Sequence, residues 1–526
     1  MDEHVLWRYI KGHAKETPDS VAIISGDEKI TYRDLDRLSD GLALELIDLG
    51  ISRGDVIATF LPPSKEYVYV YVAATKIGAV LLPLDLREKP QEIISKCNEL
   101  GAKVFVTLRE FIGIDIASQV AGYADSLPSV KRFLIARGLP PDAPERFVSM
   151  EEVIEAHVDG DGRLQKAMMR VSPEDDFLII YTGGTTGLPK GVVHTQGACI
   201  QGELGLIETL GVEEDEDMVM MFHLPPSHVG GSCDILLSTL LAGGTLVILE
   251  HLRPKELLEL IEKYRVTFFG GVATLFRILF MYEDFDKYDL SSVKIIVAAA
   301  EPLPPDLNKE IRRRFPQATL CIGYGLTEAG AGWVGIQRRD DPEEKKLYSV
   351  GRPAEGIKVK IVDDEGRELP PGETGEILVK GPPVMKTYVD RERNREAFTE
   401  DGWLRTGDLG YVDEDGYLYL VGRKKEMIKV AGYAVYPARI EEYLEKHPDI
   451  RTAAVIGFPH EIYGEAVAAF IVPRGGAALK EEDVIRYCEE GLPDYEVPRK
   501  VVFKESLPLS RLGKVEKSQL QKELSP

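Results

Sequence analysis

Leu178-Ile-Ile-Tyr-Thr-Gly-Gly-Thr-Thr-Gly-Leu-Pro-Lys-Gly-Val-Val-His194 is an apolar, strand-like run leading into a loop with four glycines, three threonines and one lysine. Glycines let backbone N–H groups turn toward an anion, hydroxyls add donors, and a lysine supplies charge. These are the requirements of a polyphosphate cradle. The loop is not a Walker loop, which needs Gly-Lys followed by Ser or Thr; here Pro189 precedes Lys190 and Gly191 follows it.

On both sides of this loop, short apolar runs alternate with longer helical patterns. VAII at 21–24, VIATFL at 56–61, KVFVTL at 103–108 and KIIVAAA at 294–300 read as strands. The stretches 32–49 and 254–263 carry apolar residues at helical spacing. The alternation predicts an α/β chain built from βαβ units with largely parallel sheets. From about Val350 the pattern changes to Gly-rich turns and short strands, GRPAEGIKVKIVDDEGRELPPGETGEILVKG. Asp-Glu-Gly at 364–366, Pro-Pro-Gly-Glu at 370–373 and Asp-Glu-Asp-Gly at 413–416 predict hairpins and loops of an antiparallel, barrel-like unit. After Gly422 comes the basic run Arg423-Lys424-Lys425 and then a mixed α+β tail, so the domain boundary is expected between 1–422 and 423–526.

A chain of 526 residues exceeds the roughly 100 to 200 residues of one domain. Its 44% hydrophobic and 29% charged residues are those of a globular protein. A formal charge of −23 argues against nucleic acid and anionic membrane surfaces as partners. Five scattered cysteines, never as CxxC, argue against a disulfide framework and a zinc site, and read as buried thiols. No signal-peptide core and no apolar run of membrane-spanning length is present, which makes the cytoplasm the expected location.

The string Tyr181-Thr-Gly-Gly-Thr-Thr-Gly-Leu-Pro-Lys-Gly191 resembles the signature of the adenylate-forming superfamily, which contains acyl-CoA synthetases, luciferases and peptide-synthetase adenylation domains. Three further resemblances follow in the family's order: Gly323-Tyr-Gly-Leu-Thr-Glu328, Arg405-Thr-Gly-Asp408 with Gly422-Arg423, and Pro508-Leu-Ser-Arg-Leu-Gly-Lys514. The resemblance covers nearly the whole chain. It implies a large N-terminal domain of two βαβ-layered sheets plus a distorted antiparallel β-barrel, followed by a small mobile C-terminal domain. It also implies ATP, Mg²⁺ and coenzyme A as the small molecules used with a carboxylic acid. A homodimer is left open.

The resemblance assigns roles residue by residue. Thr182, Gly183, Gly184, Thr185, Thr186 and Lys190 would wrap the ATP phosphates. Tyr324, between Gly323 and Gly325, would stack on adenine; Thr327 would bond the α-phosphate, and Glu328 would hold Mg²⁺. Ala300, Glu301 and Pro302 resemble the adenine-binding segment, although the family often has glycine where Ala300 stands. Asp408 would accept from both ribose hydroxyls, with Arg423 completing the grip. Lys514 would bridge carboxylate and α-phosphate as they approach, countering the repulsion of two anions. Lys425 stands at the family's hinge, and Gly432, in Lys429-Val-Ala-Gly-Tyr433, would let the pantetheine arm pass.

His223-Leu-Pro-Pro-Ser-His-Val-Gly-Gly-Ser232 resembles the acyl-pocket motif, with His228 at its aromatic or histidine position. No Asp stands directly after His228 to pair with an amino-acid ammonium; the next carboxylate is Asp234. Gly230, Gly231, Gly270 and Gly271 suggest room for an extended or bulky acyl group, with Trp333 as an apolar wall. The expected activity is AMP-forming acyl-CoA synthesis, with a lean toward a medium- or long-chain fatty acid. An aromatic acid, or a carrier protein as acceptor, stands as the alternative. A luciferase-like oxygenase and a non-enzymatic nucleotide binder are the remaining readings; the presence of both Lys514 and Glu328 weighs against the second.

Overall fold

The computed structural model describes residues 4–156, 162–182, 189–212, 217–301, 303–330, 333–475, 479–509 and 515–524. Two large sheets dominate. One has nine strands, in the spatial order Arg352–Pro353, Trp333–Ile336, Thr319–Gly325, Ile295–Ala299, Phe268–Gly271, Val219–Phe222, Thr245–Ile248, Val21–Ser25 and Glu28–Thr31. Pairing is parallel from Thr319–Gly325 through Val21–Ser25 and antiparallel at both edges. The other has eight strands: Thr387–Tyr388, Lys190–Thr195, Asp176–Thr182, Val80–Pro83, Val56–Phe60, Val104–Leu108, Arg132–Ala136 and Phe147–Ser149. It is parallel from Asp176–Thr182 onward.

Val56–Phe60 and Val104–Leu108 are buried at every position, as strands covered on both faces must be. The helix Lys65–Ile77 is buried almost all round, and it begins where the Ser64 hydroxyl accepts from the Tyr67 N–H at 3.3 Å. Gly78, at φ 70°, ends it. This helix packs with Tyr32–Asp48, Leu6–Glu16 and Leu236–Leu241 in one apolar core that also takes residues from both large sheets, such as Ile23, Phe222, Ile57 and Leu178. Lys76 lies wholly inside it. Its ammonium donates to Asp36 Oδ1 (2.7 Å), the Asp36 carbonyl (2.9 Å) and Ser39 Oγ (2.8 Å), so the buried charge is fully engaged.

The antiparallel unit after Val350 is a sheet of four strands, Lys358–Val362, Gly375–Lys380, Leu404–Val412 and Leu418–Arg423. Its hairpins close at aspartates. Asp363 Oδ1 accepts from the Glu365 and Arg367 N–H groups, and Asp413 Oδ1 from those of Asp415 and Tyr417. Arg423 ends this sheet, and Ile428–Val430 opens another. The second one joins Tyr433–Val435, Ile428–Val430, Gly464–Pro473 and Ile450–His460, with Lys500–Phe503 alongside Gly464–Pro473. Between the two, Lys424 does not sit as a plain basic surface turn. Its ammonium reaches back to Asp364 (3.0 Å) and Glu376 (3.1 Å), because a half-buried lysine beside two carboxylates pairs with them.

All five cysteines are buried and unpaired. Among the described residues no helix is long and apolar enough to cross a membrane. Lys76→Met is expected to lower stability on the order of 3 kcal/mol, because it takes from Asp36 and Asp40 their buried partner. The urea midpoint of unfolding reads this; an unchanged midpoint would show that the lysine is dispensable.

Candidate active site

The phosphate-loop candidate is a hairpin between the strands Asp176–Thr182 and Lys190–Thr195, in which Thr182 pairs with Lys190. Gly183, Gly184, Thr185 and Thr186 lie outside the described residues, as do Pro302 and Lys514. Gly191 is required by packing. A Cβ there would come within 2.7 Å of Val389 and 3.0 Å of the Tyr181 ring. That close approach lets Thr387–Tyr388 pair with Val192 and Val193 as an edge strand.

Tyr388 is thereby carried to Glu328. Its hydroxyl donates to Glu328 Oε1 at 2.7 Å, and the Lys190 ammonium lies over its ring at 5.2 Å. Burial and the neighbouring Glu328 raise the Tyr388 hydroxyl, so it stays protonated. The same chain segment holds the Glu328 backbone through Met385 N–H, which donates to the Glu328 carbonyl at 2.9 Å. Gly330, at φ 88°, is the position that permits the crossing, since a Cβ would stand 1.6 Å from the Pro383 carbonyl oxygen. Thr327 opens the short turn Thr327–Ala329. Beneath it lies His194, fully buried and pushed down to about 4 by burial, hence a neutral ring. Nothing in the local sequence marks Tyr388 or His194. Each is a single residue in a strand, and only the pairing of strands distant in sequence brings it to the turn.

A second group forms at the end of the four-stranded sheet. Asp408 and Arg423 face each other across the Leu404–Val412 and Leu418–Arg423 strands. Tyr324 Oη donates to Asp408 Oδ2 at 2.6 Å, and Arg423 Nε donates to Oδ1 at 3.0 Å. Each oxygen keeps a second acceptor site, the pattern a vicinal diol needs. Burial pushes the Asp408 carboxyl up, while Arg423 and Tyr324 oppose the rise. Tyr324 is itself buried, so its hydroxyl positions Asp408 whatever its ring face meets.

Ala300 adopts φ 65°, a left-handed conformation that favours glycine. The Glu301 carboxylate turns away to accept from the Thr274 N–H (3.1 Å) and hydroxyl (3.2 Å), so only its backbone is left for an adenine. In the acyl-pocket candidate, the Gly230 N–H donates to His228 Nδ1 at 3.0 Å, so Nδ1 is an accepting nitrogen. The segment Gly230–Ile235 is a π-helix.

At these glycines the place a side chain would take is occupied. A Cβ would lie 2.3 Å from the Pro225 carbonyl at Gly231, 2.9 Å from the Val297 carbonyl at Gly270, and 2.4 Å from Leu275 at Gly271. At Gly323 it would lie 2.5 Å from the Trp333 ring. The absence of a side chain at Gly323 is what lets the Trp333 ring approach that closely. Lys425 is exposed in the turn Lys424–Glu426, and Gly432 (φ 89°) with Ala431 (φ 49°) forms the two-residue turn between Ile428–Val430 and Tyr433–Val435. A Cβ at Gly432 would meet open space.

A profile of the family described as AMP-binding enzyme matches residues 10–389, and that of its C-terminal domain matches 439–514. The chain belongs to the AMP-binding enzyme family. This AMP-binding enzyme is 32% identical to a 4-coumarate–CoA ligase of Humulus lupulus, over 97% of its own length and 92% of the relative's. It is likewise 32% identical to the indoleacetate–CoA ligase of Aromatoleum aromaticum, over 98% and 97%. ATP-bound MatB of Rhodopseudomonas palustris superposes with a TM-score of 0.87 at 27% identity, covering 99% of both chains.

Mg²⁺ is the family's metal, and the residues present suit it. Glu328 Oε1 bears one hydrogen bond from Tyr388, which leaves the carboxylate able to bind a cation. Among the described residues no group of three metal-binding side chains occurs. Mg²⁺ is commonly held by one or two carboxylates together with substrate phosphates and water.

Gly330→Ala is expected to displace the Glu328 turn and cut turnover at least about ten-fold, since a buried clash of this kind shifts backbone. Wild-type turnover would show that the crossing is not needed. Ala300→Gly is expected to leave the melting temperature unchanged or higher, where glycine for alanine elsewhere costs about 0.5–1 kcal/mol. A drop of that size would count against strain at Ala300.

Proposed function

We propose that this enzyme, an AMP-forming carboxylate–CoA ligase, takes an aromatic acid as its substrate. The observation that carries the reading is that near-full-length relatives from a plant and a bacterium are named for coumarate and indoleacetate, both aromatic carboxylates.

In the first half-reaction the acid's carboxylate attacks the α-phosphorus of ATP and pyrophosphate leaves. Thr182, Lys190 and the glycine–threonine loop hold the phosphates, and Thr327 holds the α-phosphate. Lys514 approaches from the C-terminal region to offset the charge where two anions meet. Bound Mg²⁺ supplies charge neutralisation between phosphates, with Glu328 as its carboxylate and Tyr388 fixing that carboxylate's orientation. Asp408 accepts from the ribose hydroxyls and is kept in place by Tyr324 and Arg423. In the second half-reaction the CoA thiol attacks the acyl carbonyl and AMP leaves. The C-terminal unit, 423–526, turns about Lys425 and brings the Gly432 turn, in place of Lys514, to the reacting carbonyl.

Two measurements test this. Pyrophosphate release and CoA thioester formation across cinnamates, arylacetates, benzoates and C2 to C18 fatty acids should select an aromatic acid; selection of a long-chain fatty acid would overturn the substrate class. Lys514→Ala should abolish adenylate formation while sparing thioester formation from preformed acyl-adenylate, and Gly432→Leu should do the reverse. Because Gly432 has a positive φ, Gly432→Asn, which tolerates that backbone, separates lost conformation from added bulk. Loss of both half-reactions in Lys514→Ala would end this division of labour.

A further inference from the structure

The turn Lys424–Glu426 is tied down on both sides, and the two ties lead into different parts of the chain. On the near side, the Lys424 ammonium donates to Glu376 Oε2 at 3.1 Å and pairs with Asp364 at 3.0 Å, both on the side of the four-stranded sheet. Glu376 is buried and also accepts from Arg405 at 3.1 Å, so this anchor is itself fixed. On the far side, Glu426 Oε2 accepts from the Lys517 ammonium at 2.9 Å.

Lys517 opens the helix Lys517–Leu524, and it pairs as well with Glu441 Oε1 at 2.8 Å, on the helix Pro437–Glu445. That oxygen accepts from the Val455 N–H (2.7 Å) of the strand Ile450–His460. Leu520, one turn on from Lys517, is wholly buried in a cluster with Ala454 and Ile456 of the same strand. Glu426 is thus bound, through one ammonium, to the interior of the C-terminal unit. Burial alone would push both lysines down, yet the paired carboxylates raise them above their ordinary value, so both stay charged.

Between the two ties stands Lys425. It is exposed, and its side chain makes no hydrogen bond or ion pair with another described residue. A backbone hydrogen bond from the Met427 N–H to the Arg423 carbonyl (3.1 Å) spans it and opens when the unit turns.

Resting on the two-orientation reading of the ligase, we propose that Lys424 and Lys517 confine the pivot to Lys425, which makes Lys517 and Glu426 positioning residues for both half-reactions. A rotation spread over 423–427 would leave the C-terminal unit a range of orientations, whereas a change of dihedral angles at one residue carries it along one path. Lys517 follows Lys514 by three residues and Glu426 follows Lys425 by one. The ion pair therefore joins the residue beyond the pivot to the chain just after the catalytic lysine. Neither Lys517 nor Glu426 has to touch nucleotide or acid. Loosening either tie lowers the share of molecules in a competent orientation, and turnover falls by that share. Nucleotide affinity is kept, because the phosphate hairpin and Asp408 lie outside the C-terminal unit.

The experiment reads orientation directly. With the native cysteines buried, Met281→Cys and Ile462→Cys, at exposed positions of the large and the C-terminal unit, take spin labels selectively. Distances between the labels are recorded without nucleotide, with a non-hydrolysable ATP analogue and Mg²⁺, and with AMP and CoA. The wild type should show narrow distance peaks whose populations exchange between these states. Glu426→Ala leaves Lys517 paired with Glu441 and so should fold. This variant and Lys424→Met should each widen the distribution about two-fold, and Lys517→Arg should keep it narrow.

In turnover, with cinnamates and arylacetates as probes, Glu426→Ala should lower kcat for acyl-CoA about ten-fold and change KM for ATP by less than about two-fold. Lys517→Arg should restore what Lys517→Met loses. Wild-type widths in both Glu426→Ala and Lys424→Met would overturn the proposal, even alongside a lower melting temperature, since the ion pairs would then be structural only. A wild type with one label distance in every ligand state would overturn it too. Widths that respond as expected in an enzyme that forms no acyl-CoA from any acid of the panel would keep the confined pivot and sink the ligase reading.

Discussion

The hydrogen bond from Tyr388 to Glu328 joins the two large sheets at the site, beside the core they share. Tyr388 belongs to the edge of the eight-stranded sheet, and Glu328 follows a strand of the nine-stranded one. The crossing holds because Met385 N–H binds the Glu328 carbonyl and because Gly330 lacks the side chain that would strike Pro383. Each sheet brings one part of the proposed nucleotide machinery, the hairpin with Lys190 or the turn with Thr327, and this contact helps to fix one against the other.

The Asp408 group follows the same economy. Its partners come from Leu418–Arg423 beside it and Thr319–Gly325 in the nine-stranded sheet, so a third sheet is registered on the first by the residues proposed to hold the ribose. Lys424 then ties the start of the C-terminal unit to the same four-stranded sheet through Asp364 and Glu376. The proposed pivot at Lys425 lies beyond Lys424, so rotation there would leave that tie intact.

Much of this was legible in the chain before any coordinates. The runs at 21–24, 56–61, 103–108 and 294–300 are strands, and 32–49 and 254–263 hold helices, because apolar period and burial agree locally. The aspartate hairpins after Val350 also follow from local hydrogen bonding. Tyr388 and its place beside Glu328, and His194 beneath Thr327, were not legible, since each acquires its meaning from a neighbour many residues away. The glycines misled for a related reason. Sequence shows that a side chain is missing at Gly231 or Gly271, but not that the Pro225 carbonyl or the Leu275 side chain takes the space. At Ala300 the family's habitual glycine already hinted at the left-handed backbone that the structure displays.

The complete burial of Cys97, Cys199, Cys233, Cys321 and Cys488 has a practical corollary. Thiolates react with electrophiles only when ionised and reachable, and burial pushes the Cys97, Cys321 and Cys488 thiols up to about 12. The folded enzyme is thus nearly silent toward thiol-reactive dyes. Coenzyme A becomes the dominant dye-reactive thiol in a reaction mixture, so its consumption can be read in quenched samples against a flat protein background.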